Sequence, residues 1–193
     1  PRAPGGRSWN PSALSGPTAE PVPLSDEALQ RFLPDLREAE SRDAVTSALL
    51  DYLAAGFRRV ILFVHSRGEL RGHDARGPDL KVSAVKQVRI PSSGESLFSR
   101  AIERANPVFG PMGQTPIDQA LAQALGGVRG NVLVLPIIIA SKTPLLVFAH
   151  GTTNPVNPGS VKTLSEEVSD ALHTLIRQAR RASASGSFPR EGQ

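Results

Sequence analysis

The side chains best suited to chemistry in this sequence are four histidines, His65, His73, His150 and His173, and they stand without a single cysteine. A chain without thiols forms no disulfide, offers no thiolate to zinc, has no Cys nucleophile and holds no chromophore through a thioether. The histidines have no ligand spacing, so a metal or haem centre would require the fold itself to gather them. His65 closes one apolar run and His150 another. Pairing of those runs would set the two rings near each other, with His73-Asp74 adding an oxygen ligand. The plainer reading gives each strand-end histidine one hydrogen bond and places His173 on a helix surface, so no metal is expected.

Ser83 and Lys86 have the Ser-x-x-Lys spacing of penicillin-recognising enzymes, and Lys142-Thr143-Pro144 faintly echoes their third motif. Those enzymes need the serine at a helix start in a larger domain, whereas here it reads as the edge of a strand, so chance explains the match. Walker A, GxSxG and GxGxxG motifs are absent from the sequence. Neither an enzyme nor a cofactor is expected.

The elements that would position these residues lie in the middle of the chain. Residues 1–24 are rich in Pro, Gly and Ser, carry one Trp (Trp9) and show no apolar period, so they read as a disordered linker; 183–193 read as a similar tail. Ser25 caps a helical lead-in over 25–40 that Pro34 is expected to end or kink. Val45, Ala48, Leu49, Tyr52 and Leu53 form one helical stripe, closed by Gly56. The segment 57–66 is apolar on both faces and reads as a central strand; 69–75 should pair with it across an Arg67-Gly68 turn. In 84–90, Val85 and Val88 alternate with Lys86 and Arg89, as on a half-exposed edge strand. Ser92 and Glu95 have capping-box spacing ahead of a helix with Leu97, Phe98, Ala101 and Ile102 on one face. A short strand over 107–110 and a helix begun by Pro116 follow. Two strands, 131–140 and 144–152, are joined by Ser141-Lys142-Thr143. A terminal helix over 160–182 is lined by Val161, Leu164, Val168, Leu172, Leu175, Ile176 and Ala179. Strand pairs joined this tightly must be antiparallel, which gives an α+β fold.

Charge narrows the partners. The net charge of +4 comes from basic residues scattered singly or in pairs such as Arg58-Arg59 and Arg180-Arg181, with no basic stripe and no aromatic interleaving, so nucleic acid is not an expected partner. The longest apolar run, Val132–Ala140, has nine residues, against about 20 for a membrane-spanning helix. With no signal segment and Pro1 in first place, the sequence reads as a cytoplasmic piece of a longer protein.

The strand FRRVILFVHS after a helix, the segment IPSSGESLFSRAIERANPVFGPM, the hairpin NVLVLPIIIASKTPLLVFAHGT and the terminal helix together resemble a GAF domain, over residues 41–182. Ser96-Leu97-Phe98-Ser99-Arg100 and Phe109-Gly110-Pro111 are most similar to GAF-like regions of multidomain signalling proteins in bacteria such as the myxobacteria. The resemblance implies an antiparallel sheet flanked by helices on both faces, with the N- and C-terminal helices packed together on one face. It also implies a non-enzymatic sensory or regulatory module. The Asn-Lys-x-x-x-Phe-x-x-x-Asp-Glu signature of cyclic-nucleotide binders is missing from 151–167, and bilin attachment and methionine sulfoxide reduction in the family mostly require cysteine. By the same resemblance a small-ligand pocket would draw on Phe63, His65, Arg89, Ser96, Phe98, Ser99, Phe109 and Asn131, with Arg71 and Arg89 neutralising an anionic ligand. The competing reading fills that pocket with side chains and leaves a docking or dimerisation element. In either, Ala44, Ala48, Ala54, Ala55, Ala171 and Ala179 would let the terminal helices approach a protein partner or a second copy.

Overall fold

The computed structural model describes residues 25–128, 130–152 and 156–185. The expected linker over 1–24, with Trp9, and most of the expected tail lie outside the described residues. Strands β1 (Arg59–Ser66) and β2 (Glu69–Arg76) turn at Arg67-Gly68, where φ is 54° and 77°. Positive φ at both central residues gives the turn the twist that a two-residue hairpin requires. Strands β5 (Asn131–Ile139) and β6 (Lys142–Thr152) turn at Ala140-Ser141, with φ of 48° and 62°. The turn thus falls one residue earlier than the polar triplet Ser141-Lys142-Thr143 indicated. With β3 (Arg89–Pro91) and β4 (Val108–Pro111) these strands make one six-stranded antiparallel sheet in the order β3-β2-β1-β6-β5-β4.

Helices cover both faces, and the two-residue period of the strands supplies a separate core to each. On one face α1 (Asp26–Glu38), α2 (Arg42–Gly56) and α6 (Pro158–Ser185) bury Leu36, Leu49, Leu53, Leu164 and Val168 against Val60, Leu62 and Val147. On the other, α3 (Val82–Val85), α4 (Leu97–Arg104) and α5 (Pro116–Ala124) close over Ile61, Phe63, Val134 and Phe148. The N- and C-terminal helices therefore share a face, joined by Arg37 Nη2 donating to Glu167 Oε1 at 2.9 Å and by Ser160 donating to the carboxylate of Asp26.

Several local expectations give way to packing. Helix α1 runs through Pro34, because Leu29, Phe32, Leu33 and Leu36 are buried on both sides of it and offset the lost backbone bond. The segment 84–90 is mostly not a strand. A helical turn over Val82–Val85 precedes the three-residue β3, and the carbonyl of Val85 sits where a side chain at position 72 would begin, so only glycine at 72 lets the turn lie on β2. The box that starts α4 is Ser96 with Ser99, Ser99 N–H donating to Ser96 Oγ at 3.0 Å and Ser96 N–H to Ser99 Oγ at 3.0 Å, rather than Ser92 with Glu95.

Strand β4 pairs with β5 only as far as Val134. Beyond it two serines of α6 take over: Ser165 Oγ donates to the Pro136 carbonyl at 2.5 Å, and Ile138 N–H donates to Ser169 Oγ at 3.0 Å. Ser169→Ala strands that N–H and is expected to cost about 1–3 kcal/mol, seen as a lower urea midpoint. Ser183→Ala, which removes a hydroxyl that bonds the Ala179 carbonyl on the exposed end of the helix, should change stability by less than about 0.5 kcal/mol.

Candidate functional site

A cleft of about 470 Å³ opens between α2, α6 and the end of the sheet where β1 finishes and β6 begins. Its floor is apolar, with Leu62, Val64, Ile139, Leu145 and Leu172, and its rim is basic. Helix α2 contributes Arg42 from its first turn, β6 contributes Lys142, and α6 contributes His173, Arg177 and Arg180. The last three share one helix face, because residues three, four and seven apart lie on the same side. His65 stands at the end of β1, its Nδ1 donating to the Thr143 carbonyl at 3.0 Å. His73 arrives through a bulge: Leu62 pairs with Asp74 and Phe63 with Gly72, leaving His73 as the extra residue of β2. Such a residue bends its strand and re-aims its side chain, and here it joins the rim.

Among the described residues no ion pair engages Arg42, Lys142, Arg177 or Arg180. Among the described residues the only carboxylate lining the cleft is that of Asp43. The positive end of the α2 dipole opens on the same space. An apolar floor under uncompensated positive charge is suited to an organic anion.

The other residues singled out from the sequence scatter. Phe63 and Phe98 meet edge to face, 5.7 Å between centroids, and Phe148 stands 5.8 Å from Phe98. All three are fully buried. Ser96 and Ser99 lie beside them with their hydroxyls engaged in capping α4. Arg71 and Arg89 are cross-strand neighbours, and both reach Glu69, at 2.8 and 3.9 Å. Phe109 is 39% exposed and lies towards the opposite face, beside Val156, Pro158 and Val161. Asn131 is exposed at the start of β5. Ser83 sits in the α3 turn rather than on a strand, and both it and Lys86 are exposed.

Among solved structures, the GAF domain of a phosphoenolpyruvate-protein phosphotransferase from Coxiella burnetii superposes with a TM-score of 0.62 at 18% identity, covering 82% of this chain and 95% of that one. The chain has the GAF fold. A free methionine-R-sulfoxide reductase from Neisseria meningitidis matches at 0.61 and 18%, covering 80% of this chain and 95% of its own. Residues 122 to 287 of a methyl-accepting chemotaxis protein match at 0.58 and 16%, covering 79% and 99%. No family model and no curated protein matches the sequence.

The GAF sheet also corrects the proposed meeting of His65 with His150. Strands β1 and β6 do pair, but antiparallel, with Arg59 opposite His150 and Val64 opposite Leu145. Both histidines close their strands, so they lie at opposite ends of the sheet, about 20 Å apart at 3.3 Å per residue. Among the described residues no group of three His, Cys, Asp or Glu is placed to hold a metal ion, and no helix is long and apolar enough to cross a membrane.

Sequence reading passed over Asp118, a fully buried carboxylate that joins the start of α4 to the start of α5. Leu97 N–H donates to its Oδ1 at 3.0 Å and Thr115 Oγ1 donates to its Oδ2 at 2.9 Å. The Thr115-x-x-Asp118 spacing was the signal, because a serine or threonine three residues before an acid marks a helix start.

His150, on β6, has its protonation held down to about 4, by burial first and then by Arg59 and Arg58. The unfolded chain takes up this proton near its ordinary 6.5 and the fold does not, so stability is full above about pH 6.5 and is lost as pH falls towards 4. The loss reaches on the order of 3 kcal/mol. Asp74 acts in a lower window: burial would raise its pKa, but hydrogen bonds from Arg76 and the Ala75 N–H bring it below the ordinary carboxylate value. Urea unfolding at pH 7 and pH 4.5 should show the His150 loss, and His150→Phe should remove most of it.

Proposed function

We propose that this domain is a non-catalytic regulatory module of an intracellular signalling protein. It binds a small acidic ligand in the cleft between α2 and α6 and passes its occupancy to the exposed end of α6. The observation that carries this reading is the cleft itself, a space of about 470 Å³ with an apolar floor and four cations that no ion pair engages among the described residues, three of them on the terminal helices α2 and α6. The fold neighbours support a regulatory role: one is part of a chemotaxis protein, another the GAF domain of a phosphotransferase. The absence of cysteine from the sequence removes thiol chemistry. Of the residues that the family resemblance implies for a ligand, His65 lines this cleft.

A second reading, a docking or dimerisation module acting through the terminal helices, draws support from the packing of Phe63, Phe98 and Phe148 between sheet and α4, where a ligand would otherwise enter.

Thermal-shift titration against nucleotides and organic acids separates the two. At 100 times its Kd a ligand adds about 2.7 kcal/mol, so an acidic compound should raise the Tm of the wild type saturably. The shift should vanish in the Arg42→Glu, Arg177→Glu double variant. If no acidic compound stabilises the protein, while light scattering shows a concentration-dependent dimer that the same variant breaks, the docking reading replaces this one.

A further inference from the structure

At the opposite end of the sheet lies a second cleft, of about 460 Å³, which takes no part in the function proposed above. It forms where the end of β6 meets the start of β1 and the loop after α5, and His150, Arg58, Arg59 and the backbone of Gly130 and Gly151 line it. His150 is only 4% exposed, yet among the described residues neither Nδ1 nor Nε2 has a hydrogen-bond partner. Buried polar atoms in folded proteins are nearly always paired, so an imidazole with both nitrogens unmatched, bordering an open cleft, lacks a partner that belongs there.

The surroundings define that partner. On its own strand the ring is flanked by Phe148, 5.8 Å away, and its strand neighbours are Arg59 and Val132. The Arg59 guanidinium is fixed by donating Nη1–H to the Leu125 carbonyl at 2.7 Å and Nε–H to the Pro78 carbonyl at 3.2 Å. The nearest carboxylate, Asp79, is 3.7 Å from Arg59 and 3.9 Å from Arg58, is 73% exposed, and does not line the cleft. Gly151 keeps the wall bare, since a side chain there would start 2.7 Å from the Arg58 Cβ.

We infer that this cleft is a binding site for an oxyanion, a phosphate or carboxylate group of a small molecule, with His150 donating a hydrogen bond to an anion oxygen and Arg58 and Arg59 supplying the compensating charge. Near neutral pH the ring is uncharged, so it presents one N–H and one lone pair. The N–H is the group that meets the anion. The two arginines provide the attraction that a neutral imidazole lacks.

The test uses inorganic phosphate and acetate as probes at constant ionic strength, followed by the His150 ring and Gly151 amide resonances of the whole labelled chain. Saturable shifts of both resonances are expected. Tighter binding of phosphate identifies a phosphoryl group as the natural ligand moiety, and tighter binding of acetate a carboxylate. Arg58 is 61% exposed, so Arg58→Ala should fold normally and weaken binding by about tenfold or more. His150→Phe should abolish it, and the Arg42→Glu, Arg177→Glu variant should bind as the wild type does. The inference is overturned by the absence of saturable shifts with either probe up to tens of millimolar, or by binding that survives unchanged in both Arg58→Ala and His150→Phe.

Discussion

The pairing of β1 with β6 is the constraint from which the two cores and both clefts follow. These two strands lie at the centre of the sheet, and each sends alternate residues to opposite faces. Val60, Leu62, Val147 and Ala149 enter the core under α1, α2 and α6. Ile61, Phe63, Leu146 and Phe148 enter the core under α4 and α5. A slip of one residue would exchange the two sets, placing phenylalanines against a helix layer shaped for leucine and valine. The register is held on both sides by two-residue turns, and the His73 bulge resets the alternation of β2 so that Leu70 and Ala75 reach the same core. Because β6 runs the length of the sheet, its two ends open onto the two clefts.

That architecture was legible where local chemistry decides structure. Arg67-Gly68 between apolar runs specifies a tight turn, Pro116 opens a helix, and the stripe from Val161 to Leu172 describes the buried face of α6. It was illegible where one pattern serves two structures. Val85 and Val88 alternate as in an edge strand, but they are also three apart, and it is Gly72, thirteen positions away in sequence, that admits a helical turn on β2. Pro34 carries a strong local preference that four buried neighbours override. The separation of His65 from His150 follows from antiparallel pairing alone, because two strand C-termini cannot lie at the same end of an antiparallel pair.

The two clefts were hidden for a different reason. The basic rim between α2 and α6 gathers residues from Arg42 to Arg180 with no spacing in common, and one member reaches it only through a bulge. The site around His150 rests on an absence, two ring nitrogens without partners among the described residues, which no sequence pattern displays. In contrast, Phe63 and Phe98, which the family resemblance implies as pocket lining, are large apolar side chains that serve equally well as core.

The anchoring of α6 decides how a ligand in the first cleft would be felt. The helix is tied to β5 by Ser165 and Ser169 and to α1 by Glu167, so its first three turns are fixed to the body of the fold. Leu172 is the last fully buried residue among its described side chains, and from His173 to Ser183 they are exposed or half-buried. Arg177 and Arg180 belong to this loosely held half. On the proposed reading an anion drawing these two towards Arg42 and Lys142 acts past the anchor, where little packing must be broken. A ligand can shift α6 only by its differential affinity for two helix positions, and that difference is largest where the body of the fold constrains the helix least. The site beside His150 faces the other regime. Arg59 and His150 sit on paired central strands with no slack, which suits recognition of an anion by a rigid frame more than movement on its arrival.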